Sequence, residues 1–292
     1  MSGPISLIVT TYNRADALGA VLAALARQTD RQFEAVIADD GSGPATAALI
    51  ERWRSRIGVP LSHVWQVDRG FRAAEIRNRA ILASRGEYCI FLDGDCLVRP
   101  DFIARHRRLA ERGWFVTGNR ILMSQALTAR VLDEGSDPGN ELHLEPELWG
   151  WRKYVSLRRR GDLNRLAPLF SLPLGSLRKR RAQRWSGASG SNMAFWRSDL
   201  DAVDGFDAAF KGWGREDSDV FIRLIRAGVC RKDGRFATGV LHLWHREADR
   251  SGLDTNERQL AEIMRGDAIK ARQGLSCLGE GAPSDMLAGG AS

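Results

Sequence analysis

Short apolar runs rich in β-branched residues alternate with leucine and alanine patterns of helical spacing, and that alternation leaves few folds open to this chain. Residues 5–10 form an apolar run, Leu18, Val21, Leu22 and Leu25 follow at the spacing of one helix face, and 33–38 is apolar again. The pattern continues with a helix over 45–54, a weaker strand over 61–66, a helix over 73–84 and a strong strand over 88–92. Strands that alternate with helices predict a mainly parallel sheet covered by helices, a Rossmann-like α/β fold. Ligands of such a sheet sit beyond the carboxyl ends of its strands. Two acidic clusters, Asp39-Asp40 and Asp93-Gly94-Asp95, fall at such ends.

Further along, Pro100 suits the first turn of a helix running to Ala110, and 114–117 reads as a strand. Order weakens over 124–184, where prolines at 138, 146, 168 and 173 break the pattern into short helices and loops packed on the sheet. Residues 192–196 return as a strand, 217–226 as a helix, 240–244 as a last strand and 256–272 as a closing helix. After Gly274 the Gly, Ala and Ser content predicts a flexible tail over 274–292. The expectation is one domain over 1–273, with a first half (1–110) of alternating strands and helices and a second half (111–273) that carries a basic helical insert over 152–185.

With 292 residues, 43% hydrophobic and 27% charged, the chain has the composition of a folded globular protein and not of a disordered one. No apolar run approaches the roughly 18–20 residues of a membrane span, and the start Met-Ser-Gly-Pro lacks the pattern of a secretory signal, so a cytoplasmic location is expected. The cysteines at 89, 96, 230 and 277 have no CxxC or zinc-cluster spacing and read as reduced, packed thiols. Charge is unevenly spread. Between Arg152 and Trp185 stand eleven basic residues against one acid, Asp162, so a net charge of +7 resolves into a mildly acidic body and one strongly basic segment.

Three motifs carry chemistry. FLDGDC at 91–96 sets Asp93 and Asp95 two residues apart as an apolar strand ends, an arrangement suited to a hard divalent cation with phosphate ligands, although a solvated turn gives the same letters. SLIVTTYNR at 6–14 and IADDGS at 37–42 bring Thr10, Tyr12, Arg14, Asp39 and Asp40 to adjacent strand ends. Hydroxyl, aromatic and carboxylate groups there can contact a nucleobase; a capped turn is the alternative for Asp40-Gly41-Ser42. The third is GWGRED, where Glu216 and Asp217 follow a Gly-Trp-Gly turn. Those acids also favour a helix N-terminus, but Trp213 between glycines offers a face on which a sugar ring can stack.

The order SLIVTTYNR, ADDGS, FRAAEIRNRAI, FLDGDC resembles the nucleotide-binding half of the inverting family 2 glycosyltransferases, which have the GT-A fold. The segment 186–228 is similar to the acceptor-side block of β-1,4-galactosyltransferases and chondroitin-polymerase-like enzymes. The resemblance implies that Thr10, Tyr12 and Asp40 contact uracil and that Arg72 and Arg77 lie near the nucleotide, although their helix also reads as a solvated face. It implies that Asp93 and Asp95 meet ribose, diphosphate and metal, that Trp213 lines the sugar site, and that His245 is a third metal ligand. His242 is then an ordinary strand histidine or a second candidate ligand. Attack by an acceptor hydroxyl needs a carboxylate to take its proton and a cation to neutralise the departing diphosphate. Asp217 is expected as the base and Glu216 as a sugar-hydroxyl ligand, with the two roles exchangeable.

The basic segment interleaves its arginines with Leu157, Leu163, Leu166, Leu169, Phe170, Leu172, Leu174 and Leu177, after Trp149, Trp151 and Tyr154. That mixture predicts contact with an anionic membrane surface rather than with nucleic acid. The expected activity is metal-dependent (Mn2+ or Mg2+) transfer of a hexose or N-acetylhexosamine from a UDP-sugar to a glycan or glycolipid acceptor, at the inner face of the cytoplasmic membrane. Two other readings stand beside it. A sugar nucleotidyltransferase would carry a glycine-rich basic loop where this chain has TTYNR. A non-enzymatic polyanion-binding protein would leave GWGRED without a purpose.

Overall fold

A computed structural model describes residues 1, 3–135, 149–166, 169–246 and 249–279. Its frame is a seven-stranded sheet in the order β3-β2-β1-β4-β8-β6-β9. The strands are β1 (Ile5–Thr11), β2 (Phe33–Asp39), β3 (Leu61–Trp65), β4 (Tyr88–Asp93), β6 (Trp114–Thr117), β8 (Asn192–Trp196) and β9 (Cys230–Asp233). Only β8 runs against the others, antiparallel to both β4 and β6. The mixed, mainly parallel sheet flanked by helices is the expected fold class.

Period-two alternation in the strands divides the core into two layers. Ile5, Leu7 and Val9 of β1 and Tyr88, Ile90 and Leu92 of β4 join the layer beneath α1 (Ala15–Ala26) and α2 (Pro44–Arg54). Ile8, Cys89, Phe91, Met193 and Phe195 face the opposite layer. There Phe91, Phe115, Phe195, Phe206 and Phe221 pack ring against ring. That second layer is closed by α3 (Ala73–Ala83) and α8 (Glu216–Arg226). Here α8 is an amphipathic helix whose Val220, Phe221 and Leu224 point inward.

Register decides what meets at the sheet's edge. Thr10 lies opposite Asp93 and Thr11 opposite Asp39, so the carboxyl ends of β1, β2 and β4 stand side by side. A second, three-stranded sheet of β5 (Cys96–Leu97), β10 (Val240–His242) and β7 (Arg120–Leu122) was not foreseen, because strands of two and three residues leave no periodicity to read. It pairs His242 with Cys96, and the Leu243 N–H donates to the Asp95 carbonyl at 2.9 Å. The sequence pattern predicts 240–244 as a last strand without naming the strands it pairs with.

The basic segment departs from its expected disposition. Its helix α6 (Trp151–Arg159) buries Tyr154 and Leu157, and Leu163 and Leu169 are buried too, so three of the eight interleaved apolar residues belong to the core. Arg178, in a short 3-10 turn over Gly175–Lys179, is also buried and donates to the carbonyls of Asp233 (2.9 Å), Arg235 (2.6 Å) and Leu172 (2.8 Å). Trp151, Phe170, Leu172 and Leu177 stay exposed. The start of the segment expected to be a flexible tail is anchored: Leu275 is buried, and the Ser276 N–H and hydroxyl donate to Asp204 at 2.8 and 2.7 Å. Residues 280–292 lie outside the described residues.

One buried histidine makes the fold acid-sensitive. His106, on α4 (Phe102–Leu109), is fully buried against Phe102, and its Nε2 lies 3.2 Å from Asn192 Oδ1. Burial pushes its imidazolium down to about 3 from the ordinary 6.5. A depressed folded-state value gives stability that is complete above the unfolded value and is lost as pH falls towards the folded one. Unfolding free energy from urea titrations should therefore fall below pH ~6.5, by up to about 1.4 kcal/mol per pH unit from this group. His106→Gln should flatten that part of the profile; an unchanged slope would contradict the assignment.

Candidate active site

Arg77 is the hub of the cluster at the sheet's edge. It leaves α3 with a side chain 5% exposed, placing Nη1 3.0 Å from Glu216 Oε1, Nη2 3.4 Å from Asp93 Oδ1 and Nε 3.4 Å from Thr10 Oγ1. Phe206 closes the guanidinium from below, its ring centre 5.5 Å away. The helix is therefore not a solvated face at this position. Burial drives the Asp93 and Glu216 carboxyls above their usual range, neighbouring acids add to the effect, and Arg77 opposes it. Glu216 Oε2 is buried with no protein partner, one acceptor left unused inside the cleft.

Asp217 is less constrained. Its Oδ1 accepts the Ser218 N–H at 2.7 Å, while Oδ2 lies against Gly190, where a Cβ would stand 2.9 Å from it. Glycine at 190 is thus what lets the 186–191 loop close on this carboxylate.

On the other side of Asp93 a cation-type ligand set gathers around Asp95. His245 Nε2 is 3.2 Å from Asp95 Oδ2, and His242 Nε2 is 3.5 Å from Oδ1. Cys96 Sγ stands 3.6 Å from Oδ1, and single ligand atoms of Asp95, Cys96 and His242 lie within 4.8 Å of one another. One carboxylate between two imidazoles is a donor set that could hold a divalent cation. Asp95 and His245 meet as expected, His242 joins them, and Asp93 faces Arg77 instead.

The nucleotide-type residues line the same edge. Asp40 is buried, with Oδ1 accepting from Gln66 Nε2 at 2.5 Å and Oδ2 from the Arg72 N–H at 2.7 Å; a carboxylate so engaged retains free lone pairs for a base N–H. Tyr12 is exposed and donates to Asp68 Oδ2 at 2.9 Å, ready to present a ring face. The guanidinium of Arg72 turns to Glu75 at 2.8 Å and to the Val67 carbonyl. Arg14 pairs with Asp16 at 2.9 Å, and among the described residues no bond joins it to the cluster. Gln66 and Asp68 were missed, since a polar pair in a connecting loop resembles any other.

Trp213 crowns a turn that only glycines permit: Gly212 and Gly214 have φ of 75° and 100°, and Arg215 enters α8 at 79°. The indole is half-buried, with the Arg250 guanidinium 4.8 Å from its ring centre, so it has more support than its neighbours in sequence suggested. The turn's Gly212 N–H donates to the Phe71 carbonyl at 3.0 Å, which joins the nucleotide-type loop to the acid-bearing helix.

The profile of the family described as "Glycosyl transferase family 2" matches residues 6–201, and that of the "N-terminal domain of galactosyltransferase" matches 176–245. A validoxylamine A glucosyltransferase of Streptomyces hygroscopicus subsp. jinggangensis is 29% identical over 249 residues, covering 81% of this chain and 54% of the relative. A hyaluronan synthase of Pasteurella multocida is 26% identical, over 77% of this chain and 23% of its own length. The chain thus spans about half, or less, of these relatives. Among solved structures, the mannosyltransferase PcManGT of Pyrobaculum calidifontis, in complex with GDP-Man and Mn2+, aligns over 91% of this chain and 65% of its own (TM-score 0.58, 18% identity). Residues 1–349 of S. aureus TarS, in complex with UDP-GlcNAc, align over 89% of this chain and 66% of theirs (TM-score 0.54, 15% identity). Both likenesses concern the fold, GT-A. With its family profile spanning two thirds of the sequence and its acids gathered at the strand ends, the chain belongs to glycosyl transferase family 2 and is a glycosyltransferase.

Proposed function

We propose that this glycosyltransferase moves a hexose or N-acetylhexosamine from a UDP-sugar to a glycan acceptor, with inversion and with a divalent metal. The observation that carries the reading is the meeting, at one sheet edge, of the Asp95–His242–His245 set with the Arg77-linked acids and Asp217. The relatives support it: one is a glucosyltransferase, another a hyaluronan synthase, and the TarS neighbour holds UDP-GlcNAc.

In this reading Asp40 accepts the base N–H, Tyr12 offers its ring to the base, and Thr10 and Asp93 face ribose and diphosphate. Asp95, His242 and His245 would hold the cation, which would supply positive charge to neutralise the leaving diphosphate, with Asp93 kept beside it by Arg77. Arg77 opposes the effect of burial on Glu216 and aims it, with its unused Oε2 free to accept from a sugar hydroxyl. Trp213 supplies the stacking face. Asp217 takes the proton from the attacking acceptor hydroxyl at Oδ2; attack from the face opposite the diphosphate inverts the anomeric centre.

The acceptor is proposed to be lipid-linked, as in lipopolysaccharide or polysaccharide synthesis, and met at the inner face of the cytoplasmic membrane. No helix among the described residues is long and apolar enough to cross a bilayer. Support comes from the exposed part of the basic segment, in which Arg158, Arg159, Arg160, Arg165, Arg180 and Arg181 are exposed along with Phe170, Leu172 and Leu177.

Release of UDP from UDP-sugars should require Mn2+ or Mg2+ and should fall about 10²–10⁴-fold in Asp217→Asn. Activity indifferent to both chelation and the substitution would overturn the mechanism. Arg77→Met strands two carboxylates and should cost about 3–5 kcal/mol in denaturant unfolding. Because the stranded groups then have folded values raised further, that loss should grow as pH rises through them and shrink on acidification. An Arg77→Met enzyme as stable as wild type at pH 8 would remove the hub from the argument. Flotation should show binding to phosphatidylglycerol vesicles that high salt and Arg158/Arg159/Arg160→Glu abolish; equal binding to neutral vesicles would count against the surface.

A further inference from the structure

Helix α9 (Leu253–Arg265) follows the last metal-type histidine, and nothing in its sequence advertises chemistry. Its first turn nevertheless forms the floor of the Gly-Trp-Gly turn. Asn256 is 1% exposed, and its Nδ2 donates to the carbonyls of Lys211 at 3.0 Å, Gly214 at 2.9 Å and, more weakly, Trp213 at 3.4 Å. One side-chain amide therefore serves three carbonyls of a single turn. Close packing reinforces it. A Cβ on Gly214 would lie 3.2 Å from Leu253 Cδ1, and one on Gly212 would lie 3.9 Å from the Gly252 Cα. Arg215, the left-handed residue that starts α8, is bridged to Glu257 at 2.7 Å. Beneath these contacts Leu260, Phe210 and Ile222 form a small apolar core that locks α9 to α8.

We propose that Asn256 is the positioning residue of the acceptor side: its amide sets the height and orientation of the turn that presents Trp213 and delivers Glu216 and Asp217 into the cleft. The argument is geometric. A turn with three left-handed residues has no ladder of its own, and its carbonyls need an outside donor to choose one conformation. Asn256 supplies that donor from a rigid helix. The nucleotide-type residues Tyr12, Asp40 and Gln66 are held by bonds among the loops after β1, β2 and β3, none of which involves Asn256, and the Gly212–Phe71 backbone bond is the link from those loops to the turn. Loss of the amide should therefore separate two properties that a general loss of structure would move together. The proposal rests on the reading of Trp213 and Asp217 given above.

The test measures UDP affinity by calorimetry, thermal unfolding, and transfer to an oligosaccharide acceptor for Asn256→Ala and the equal-sized Asn256→Asp, which turns a carboxylate towards three carbonyls. Expected are UDP affinities within about twofold of wild type and transfer lowered about tenfold to a hundredfold, the scale set by a small misplacement of reacting groups. In a Trp213→Ala background, Asn256→Ala should cost much less, because the turn no longer presents the ring it was holding. Should Asn256→Ala not fold, Asn256→Asp carries the test with the same readouts. Unchanged transfer, or a parallel fall of UDP affinity and transfer, overturns the role of Asn256. If Asp217→Asn and Trp213→Ala themselves leave transfer intact, the underlying functional reading has failed instead.

Discussion

A single buried guanidinium makes the rest of this site possible. Asp93, Glu216 and Asp217 converge where the sheet ends, and unpaired carboxylates so placed would shed their charge or force the cleft apart. Arg77 answers two of them directly and Asp217 at longer range, while its Nε reaches Thr10 on the central strand. The fold can keep acids in a partly dry cleft because α3 delivers a cation to their centre. Those groups belong to three elements far apart in sequence, so the same contact ties the nucleotide-type half to the acid-bearing half.

The histidines show how weak elements settle chemistry. His242 and His245 reach Asp95 because β10 pairs with the two-residue strand β5 and the Leu243 N–H binds the Asp95 carbonyl. Had β10 joined the seven-stranded sheet instead, both imidazoles would stand at another edge. The result is a ligand set centred on Asp95, with Asp93 left to Arg77. Two aspartates that look equivalent in the letters FLDGDC thereby have different neighbours: one faces nitrogen ligands, the other a fixed cation.

Much of the frame was legible because its elements obey strong periodicities. The strands β1, β2 and β4 alternate between two apolar layers, and α2, α3 and α8 fall within a residue or two of the expected spans. The candidate residues at strand ends could be found because parallel sheets open their sites there. What escaped has a common cause. Strands β5, β7 and β9 are too short for a period, and Gln66, Asp68 and Asn256 act through hydrogen bonds to partners distant in sequence. Asn256 alone left a trace, an amide in the first turn of an amphipathic helix, where such side chains often serve the backbone.

Composition misled most in the basic segment, and the reason bears on the site. Arginine beside leucine suggested a surface, yet Arg178 bonds carbonyls on the 233–236 turn, and Arg231 of β9 bonds those of Arg184, Ser186 and Gly187 at 3.0, 3.0 and 3.3 Å. A guanidinium has five donors in a planar fork, so one buried arginine can satisfy several irregular carbonyls that no strand or helix would pair. Arg231 also holds Thr117 Oγ1 at 2.8 Å, which fastens the start of the 184–191 loop to the sheet. The far end of that loop carries Gly190 to Asp217. Part of the positive charge therefore serves as internal scaffolding that brings a loop to an acid, and only the exposed remainder is available to a partner.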